Sequence, residues 1–132
     1  MTKILLDSSA WIHFLRKKPG WFQFVADLLE KDSVVISGLV VTEILRGART
    51  AKDRDLLRRH LEVLDFLDLK EEDYYESAEL GSLLLTKGFT VKSMDLLIAQ
   101  TAISHRTFLL QDDSDFLFIA RHAPLKLLDY RS

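Results

Sequence analysis

Short aliphatic or β-branched runs alternate with longer segments of helical period along almost the whole chain. This alternation restricts the fold more than any other feature. Lys3–Leu6 is an apolar run that ends at Asp7, and Val34–Ser37 is β-branched and follows the turn-forming pair Asp32-Ser33. Val63–Leu67, Thr107–Leu110 and Leu125–Leu128 complete a set of five predicted strands. Between them, apolar spacing predicts helices over Ser8–Leu15, Trp21–Lys31, Leu39–Arg49, Lys52–Leu61, Glu71–Lys87, Ser93 to about His105, and Ser114–Arg121. Pro19-Gly20 and Gly88 punctuate the pattern, and Ser93 reads as the N-cap of its helix. Strands separated by helices and short connections predict a parallel sheet covered on both faces. No internal repeat, low-complexity tract or linker interrupts the pattern, so residues 1–132 read as a single α/β domain.

Hydrophobic residues make up 48% of the chain and charged residues 29%, a globular balance. Cysteine is absent, which excludes disulfides, thiolate zinc sites and cysteine nucleophiles, and fits a reducing compartment. The N-terminus MTKILLDSS does not read as a signal peptide, and no apolar run approaches the roughly 18 residues of a membrane span. The expected location is the cytoplasm. The net charge of −2 speaks against a protein that binds by blanketing phosphates, so charge alone would favour no nucleic acid.

Ligands of open α/β sheets bind outside the carboxyl ends of the strands. Asp7 directly follows the first predicted strand, and Asp112, Asp113 and Asp115 follow the fourth. Asp95 lies in the first turn of the preceding helix, and Glu43 lies among apolar neighbours in Val40-Val41-Thr42-Glu43-Ile44-Leu45. Converging carboxylates repel one another unless protons or cations neutralise them, and such oxygen-rich sites suit Mg²⁺ or Mn²⁺. Each acid also has a purely structural reading. Asp95 is favourable at a helix start through the macrodipole, Asp7 could serve as a helix cap, and Asp112–Asp115 could be a solvated loop.

The segments LLDSSAWI, VTEILRGA, SMDLLIAQTA and LLQDDSDF, in this order and at these intervals, resemble the motifs of PIN-domain ribonucleases. More narrowly, they resemble the toxins of VapBC toxin–antitoxin pairs, from about Lys3 to the final strand. The resemblance implies a three-layer α/β/α domain with a central parallel sheet of about five strands and an acidic pocket for one or two Mg²⁺ or Mn²⁺ ions. It matches the family's first acid to Asp7, the E-x-x-R-G glutamate to Glu43, the D-x-x-I-A aspartate to Asp95, and the D-x-D-F pair to Asp113 and Asp115. The implied catalytic set is Asp7, Glu43, Asp95 and Asp113, with Asp115 supporting the metal. Ser9 matches a Ser or Thr frequent in relatives, position 111 is Gln where relatives often carry Thr or His, and Asp112 falls outside the matched frame as a bystander.

The implied activity is an Mg²⁺- or Mn²⁺-dependent RNA endonuclease that uses a metal-activated water, restrained by a VapB-like antitoxin and assembled as a homodimer. The alternatives are a DNA nuclease or phosphatase using the same acids, or a binding module with a vestigial pocket. Arg46, one turn from Glu43, is the best candidate to contact substrate phosphate, and could equally pair with an acid of the pocket or with a partner protein's C-terminal segment. The other basic residues after it, from Arg49 to Arg59, read as a solvated helix face. Histidines 13, 60, 105 and 122 form no metal-ligand spacing, Ser8 and Ser9 lack a nucleophile-elbow frame, and no P-loop is present. Trp11, Phe14, Trp21, Phe22 and Phe24 crowd one stretch; such a stretch is usually core, but their number leaves room for some to be exposed to a protein partner.

Overall fold

The computed structural model describes residues 2–131. Five strands, β1 (Ile4–Leu6), β2 (Val34–Ser37), β3 (Asp65–Leu67), β4 (Phe108–Leu110) and β5 (Lys126–Leu128), form one sheet in the order β3-β2-β1-β4-β5. Every pairing is parallel. The central strands β1 and β2 are buried along their whole length, as continuous apolar strands between two helical layers must be. The edge strands are three residues long and carry Asp65 and Lys126, a combination that discourages further pairing.

Seven helices cover the sheet: α1 (Ser8–Leu15), α2 (Trp21–Glu30), α3 (Gly38–Arg46), α4 (Ala51–Glu62), α5 (Glu71–Thr86), α6 (Ser93–His105) and α7 (Ser114–His122). The first four pack in sequence (α1 on α2 and α3, α3 on α4), while α5, α6 and α7 pack on one another. The result is the three-layer α/β/α arrangement expected from the strand–helix alternation. From β1 the chain adds strands toward one edge, then returns to place β4 on the other side of β1. Ligands of open α/β sheets bind at such a reversal, here at the carboxyl ends of β1 and β4.

The structure corrects several predicted boundaries and one cap. Helix α3 stops at Arg46 because Gly47 caps it, and Thr50 then starts α4 by accepting the Asp53 N–H at 3.0 Å. Val63 belongs to the end of α4 rather than to β3, because the turn closed by Leu64 N–H on the Leu61 carbonyl precedes the strand. The N-cap of α6 is Lys92, whose carbonyl accepts from Leu96 N–H at 3.1 Å, and Ser93 is already helical.

The aromatic stretch is core and not an exposed patch. Trp11 and Trp21 are buried and Phe14, Phe22 and Phe24 half-buried, with Phe14 stacked on Phe22 at 5.2 Å. The most exposed large apolar side chains lie elsewhere, at Val63, Phe66, Tyr75 and Leu85 among others.

On the α5–α6 contact, buried Asp73 accepts from Lys70 N–H at 2.8 Å, from Gln100 Nε2 at 3.2 Å and from Ser104 Oγ. Burial opposes its charge, but these hydrogen bonds prevail and hold the carboxyl below the usual range. Asp73→Ala removes the acceptor that caps α5 at Lys70 N–H and one acceptor of buried Gln100, so it is expected to destabilise the fold by about 1–2 kcal/mol in urea unfolding.

Candidate metal centre

Asp7 is the first residue past β1, and it caps α1. Its Oδ1 accepts from Ala10 N–H at 2.9 Å. Ser9 Oγ lies 2.7 and 2.9 Å from the two carboxylate oxygens and donates to them, while accepting the Asp112 N–H at 2.9 Å. The structural and the functional readings of Asp7 are therefore compatible. Only 5% of the residue is exposed. Burial pushes its pKa up to about 6; the Ala10 and Ser9 hydrogen bonds oppose the rise, and the charges of Asp113 and Glu43 add to it.

Ser37 starts α3 immediately after β2, its Oγ accepting from Val40 N–H at 3.3 Å. This places Glu43 in the second turn, half-buried, where Ser8 Oγ donates to its Oε1 at 2.7 Å. Asp95 stands in the first turn of α6. Asp113 is the N-cap of α7, with its Oδ1 accepting from Asp115 N–H at 2.9 Å and its own N–H donating to Gln111 Oε1 at 2.6 Å.

Carboxylate oxygens of Asp95, Asp113 and Asp115 lie within 4.8 Å of one another. Burial, then the charge of Asp113, then a hydrogen bond to the Asp115 carboxyl and its charge, push the Asp95 pKa up to about 7, against the opposing charge of Lys92. Asp95 Oδ2 is buried without a hydrogen-bond partner. Two acids forced toward their neutral forms and one orphaned buried oxygen are what a divalent cation would relieve. An all-carboxylate donor set suits a hard, oxygen-seeking ion rather than zinc.

A model of the PIN domain matches residues 4–121. The chain belongs to the PIN-domain family. Comparison with curated proteins gives no match. Several solved structures share the PIN fold. The DNA-bound VapBC of Salmonella typhimurium matches with a TM-score of 0.80 and 20% identity, covering 98% of this chain and 99% of that one. VapBC2 of Rickettsia felis, bound to a promoter DNA fragment, matches at 0.78 and 22%, covering 97% and 98%. VapBC-1 of nontypeable Haemophilus influenzae matches at 0.77 and 19%, covering 99% and 100%.

Among the described residues of this PIN domain, the close acidic group is Asp95, Asp113 and Asp115. Asp7 and Glu43 flank it rather than join it, and the charge of Asp113 reaches Asp7. Ser9 is engaged with Asp7 and the Asp112 amide. Arg46 is exposed and lines, with Ser8, Arg16 and Glu43, a groove of about 350 Å³. Leu15, Ile44 and Leu57 join that groove to an apolar one of about 540 Å³ lined by Trp11, Phe14 and Leu61. Two residues given no role by the sequence have one in the structure. Gln111 turns the loop through the Asp113 amide, and Asp112 is tied to α1. Only the spacing of Ser9 and His13, four apart on one helix face, hinted at the second contact.

Proposed function

We propose that this PIN domain is an Mg²⁺- or Mn²⁺-dependent RNA endonuclease, the toxin of a toxin–antitoxin pair. The observation that carries the reading is the convergence of Asp95, Asp113 and Asp115 beside Asp7 and Glu43, with a buried carboxylate oxygen left unpaired. PIN domains are nucleases, and several solved structures of similar fold are of VapBC proteins. Asp95, Asp113 and Asp115 would hold the ion, with Asp7 at their side. A bound ion of this kind would supply a water nucleophile at neutral pH and relieve charge on the phosphate. Ser9 fixes the Asp7 carboxylate. Glu43, held by Ser8 outside the tight group, orients the attacking water. Arg46 contacts a phosphate along the groove that opens beside Glu43. Attack by water leaves 5′-phosphate and 3′-hydroxyl ends.

A VapB-like partner is supported by the continuous groove across α1, α3 and α4, apolar at one end and carrying Arg16 and Arg46 where it reaches Glu43. A segment seated there would cover the approach to the acidic pocket. Phe66, Tyr74 and Tyr75, exposed on and after the β3 edge, offer a face for a second copy. Among the described residues no helix is long and apolar enough to cross a membrane, and the absence of cysteine is in keeping with action in the cytoplasm.

Incubation of the purified protein with RNA, DNA and a small phosphate ester, with Mg²⁺ or with EDTA, tests the reading. RNA cleavage with Mg²⁺, abolished by EDTA, is the expected result. Cleavage that persists in EDTA sinks the metal mechanism, and turnover of DNA or the ester in place of RNA sinks the substrate assignment.

A further inference from the structure

Ser9 and His13 sit one turn apart on α1, and both hold residue 112. Ser9 Oγ accepts the Asp112 N–H at 2.9 Å, and His13 Nε2 meets Asp112 Oδ2 at 2.8 Å. A carboxylate has no hydrogen to give, so the imidazole donates from Nε2. The same Ser9 hydroxyl donates to Asp7, closing a path from one acid of the pocket to the residue that precedes another. His13 is supported from behind. Its ring lies 4.9 Å from Trp21, which lies 4.6 Å from Tyr130. Tyr130 in turn fills the notch at Gly20, where an added Cβ would sit 2.8 Å from the tyrosine ring.

The backbone alone does not hold the loop to this helix. The last bond at the β1–β4 boundary is Asp7 N–H to the Leu110 carbonyl at 3.1 Å. Beyond it, among the described residues, the hydrogen bonds joining residues 111–113 to α1 are those of Asp112. Meanwhile Asp7 and Asp113 repel each other.

With the acidic pocket read as a metal site, as proposed above, we propose that His13 and Asp112 are positioning residues for it. Together with Ser9 they grip α1 and the β4–α7 loop at two points, and so set the separation of Asp7 and Asp113 against their repulsion. Outer partners of metal-binding carboxylates act in this way, and their removal weakens metal binding without touching the ion.

The test is Mn²⁺ affinity of the purified protein by calorimetric titration, with thermal unfolding in parallel. His13→Ala and Asp112→Ala are each expected to weaken Mn²⁺ binding about tenfold. The double variant should be no weaker than either single one, since both break the same link. Asp112→Asn retains an acceptor for His13 but loses the charge, and it should bind close to wild type. His13→Gln keeps a donor and should bind more tightly than His13→Ala. Thermal midpoints should change little, because the pair is partly exposed. Wild-type Mn²⁺ affinity in both alanine variants overturns the positioning role. An Asp112→Asn variant as weak as Asp112→Ala also overturns it, because charge rather than position would then be at work. A wild-type protein that binds no Mn²⁺ removes the metal site itself. None of these outcomes needs a nucleic acid, so failure of RNA cleavage is distinguishable from failure of the clamp.

Discussion

Asp95→Asn is expected to raise the thermal midpoint of the metal-free protein and to abolish its Mg²⁺-dependent cleavage. In the metal-free state Asp95 is ionised at neutral pH only against burial and the charges of Asp113 and Asp115. Asparagine removes the repulsion, and its Nδ2 can donate to either neighbouring carboxylate. The side chain is only partly buried, so solvent screening reduces the gain to about 1–2 kcal/mol. For a domain of this size that corresponds to roughly 4–8 °C. The same change removes a charged oxygen donor, and loss of cleavage by at least about a hundredfold is expected. Scanning calorimetry in EDTA beside an RNA cleavage assay measures both effects. A variant that melts lower than wild type and still cuts RNA would contradict the assignment of Asp95. Sites that store charge repulsion for function commonly lie at this end of the trade between stability and activity.

Added Mg²⁺ is expected to stabilise the protein much more at pH 8 than at pH 5. Asp7 and Asp95 titrate near 6 and 7 in the folded chain, against a reference value of 3.8. Between about pH 4 and 7 the folded state therefore holds more protons than the unfolded one. The stability of the metal-free protein falls as pH rises through that window, and the penalty is complete above it. Below it both states are protonated and the penalty vanishes. The Asp7 share alone is on the order of 3 kcal/mol. Asp73 acts in the opposite sense: its stabilisation is present above the ordinary carboxylate range and is lost only in acid, outside this window. A cation must displace the protons that these carboxyls hold, so binding near pH 6 should release protons in calorimetry. Thermal melts with EDTA and with Mg²⁺ from pH 5 to 8 check the sign. A Mg²⁺-induced shift that is independent of pH would contradict the raised pKa values.

The strand–helix alternation was legible because buried parallel strands are continuously apolar and the helices keep their period. Ile4–Leu6, Val34–Ser37 and Phe108–Leu110 announce themselves in this way. The ends were less legible. Val63 is β-branched and apolar, but a closing turn assigns it to a helix cap. Ser93 looks like a cap, but a backbone carbonyl one residue earlier starts the helix. Which of the aromatic side chains are exposed was not legible for a related reason. Composition shows how many large rings there are, while only the packing of Trp21 against Tyr130, 109 residues onward in the numbering, shows where they go.

By its order of residues alone, the chain determined the parallel α/β fold and placed Asp7, Asp95 and the group Asp112, Asp113 and Asp115 at strand ends and helix starts; the family resemblance added Glu43 within its helix and chose Asp113 over Asp112. The fold and that placement follow from local rules, strand burial and helix capping, which act over a few residues. The tertiary structure decided how those acids stand to one another. It grouped Asp95 and Asp113 tightly with Asp115, set Asp7 and Glu43 beside them, and left one Asp95 oxygen unpaired. It also turned Asp112 from a bystander into a link between α1 and the loop of Asp113. Those distances arise because β1 and β4 are neighbours in the sheet although 101 residues separate Ser9 from Leu110. Repulsion between carboxylates depends on separation in space, which no pattern along the chain specifies.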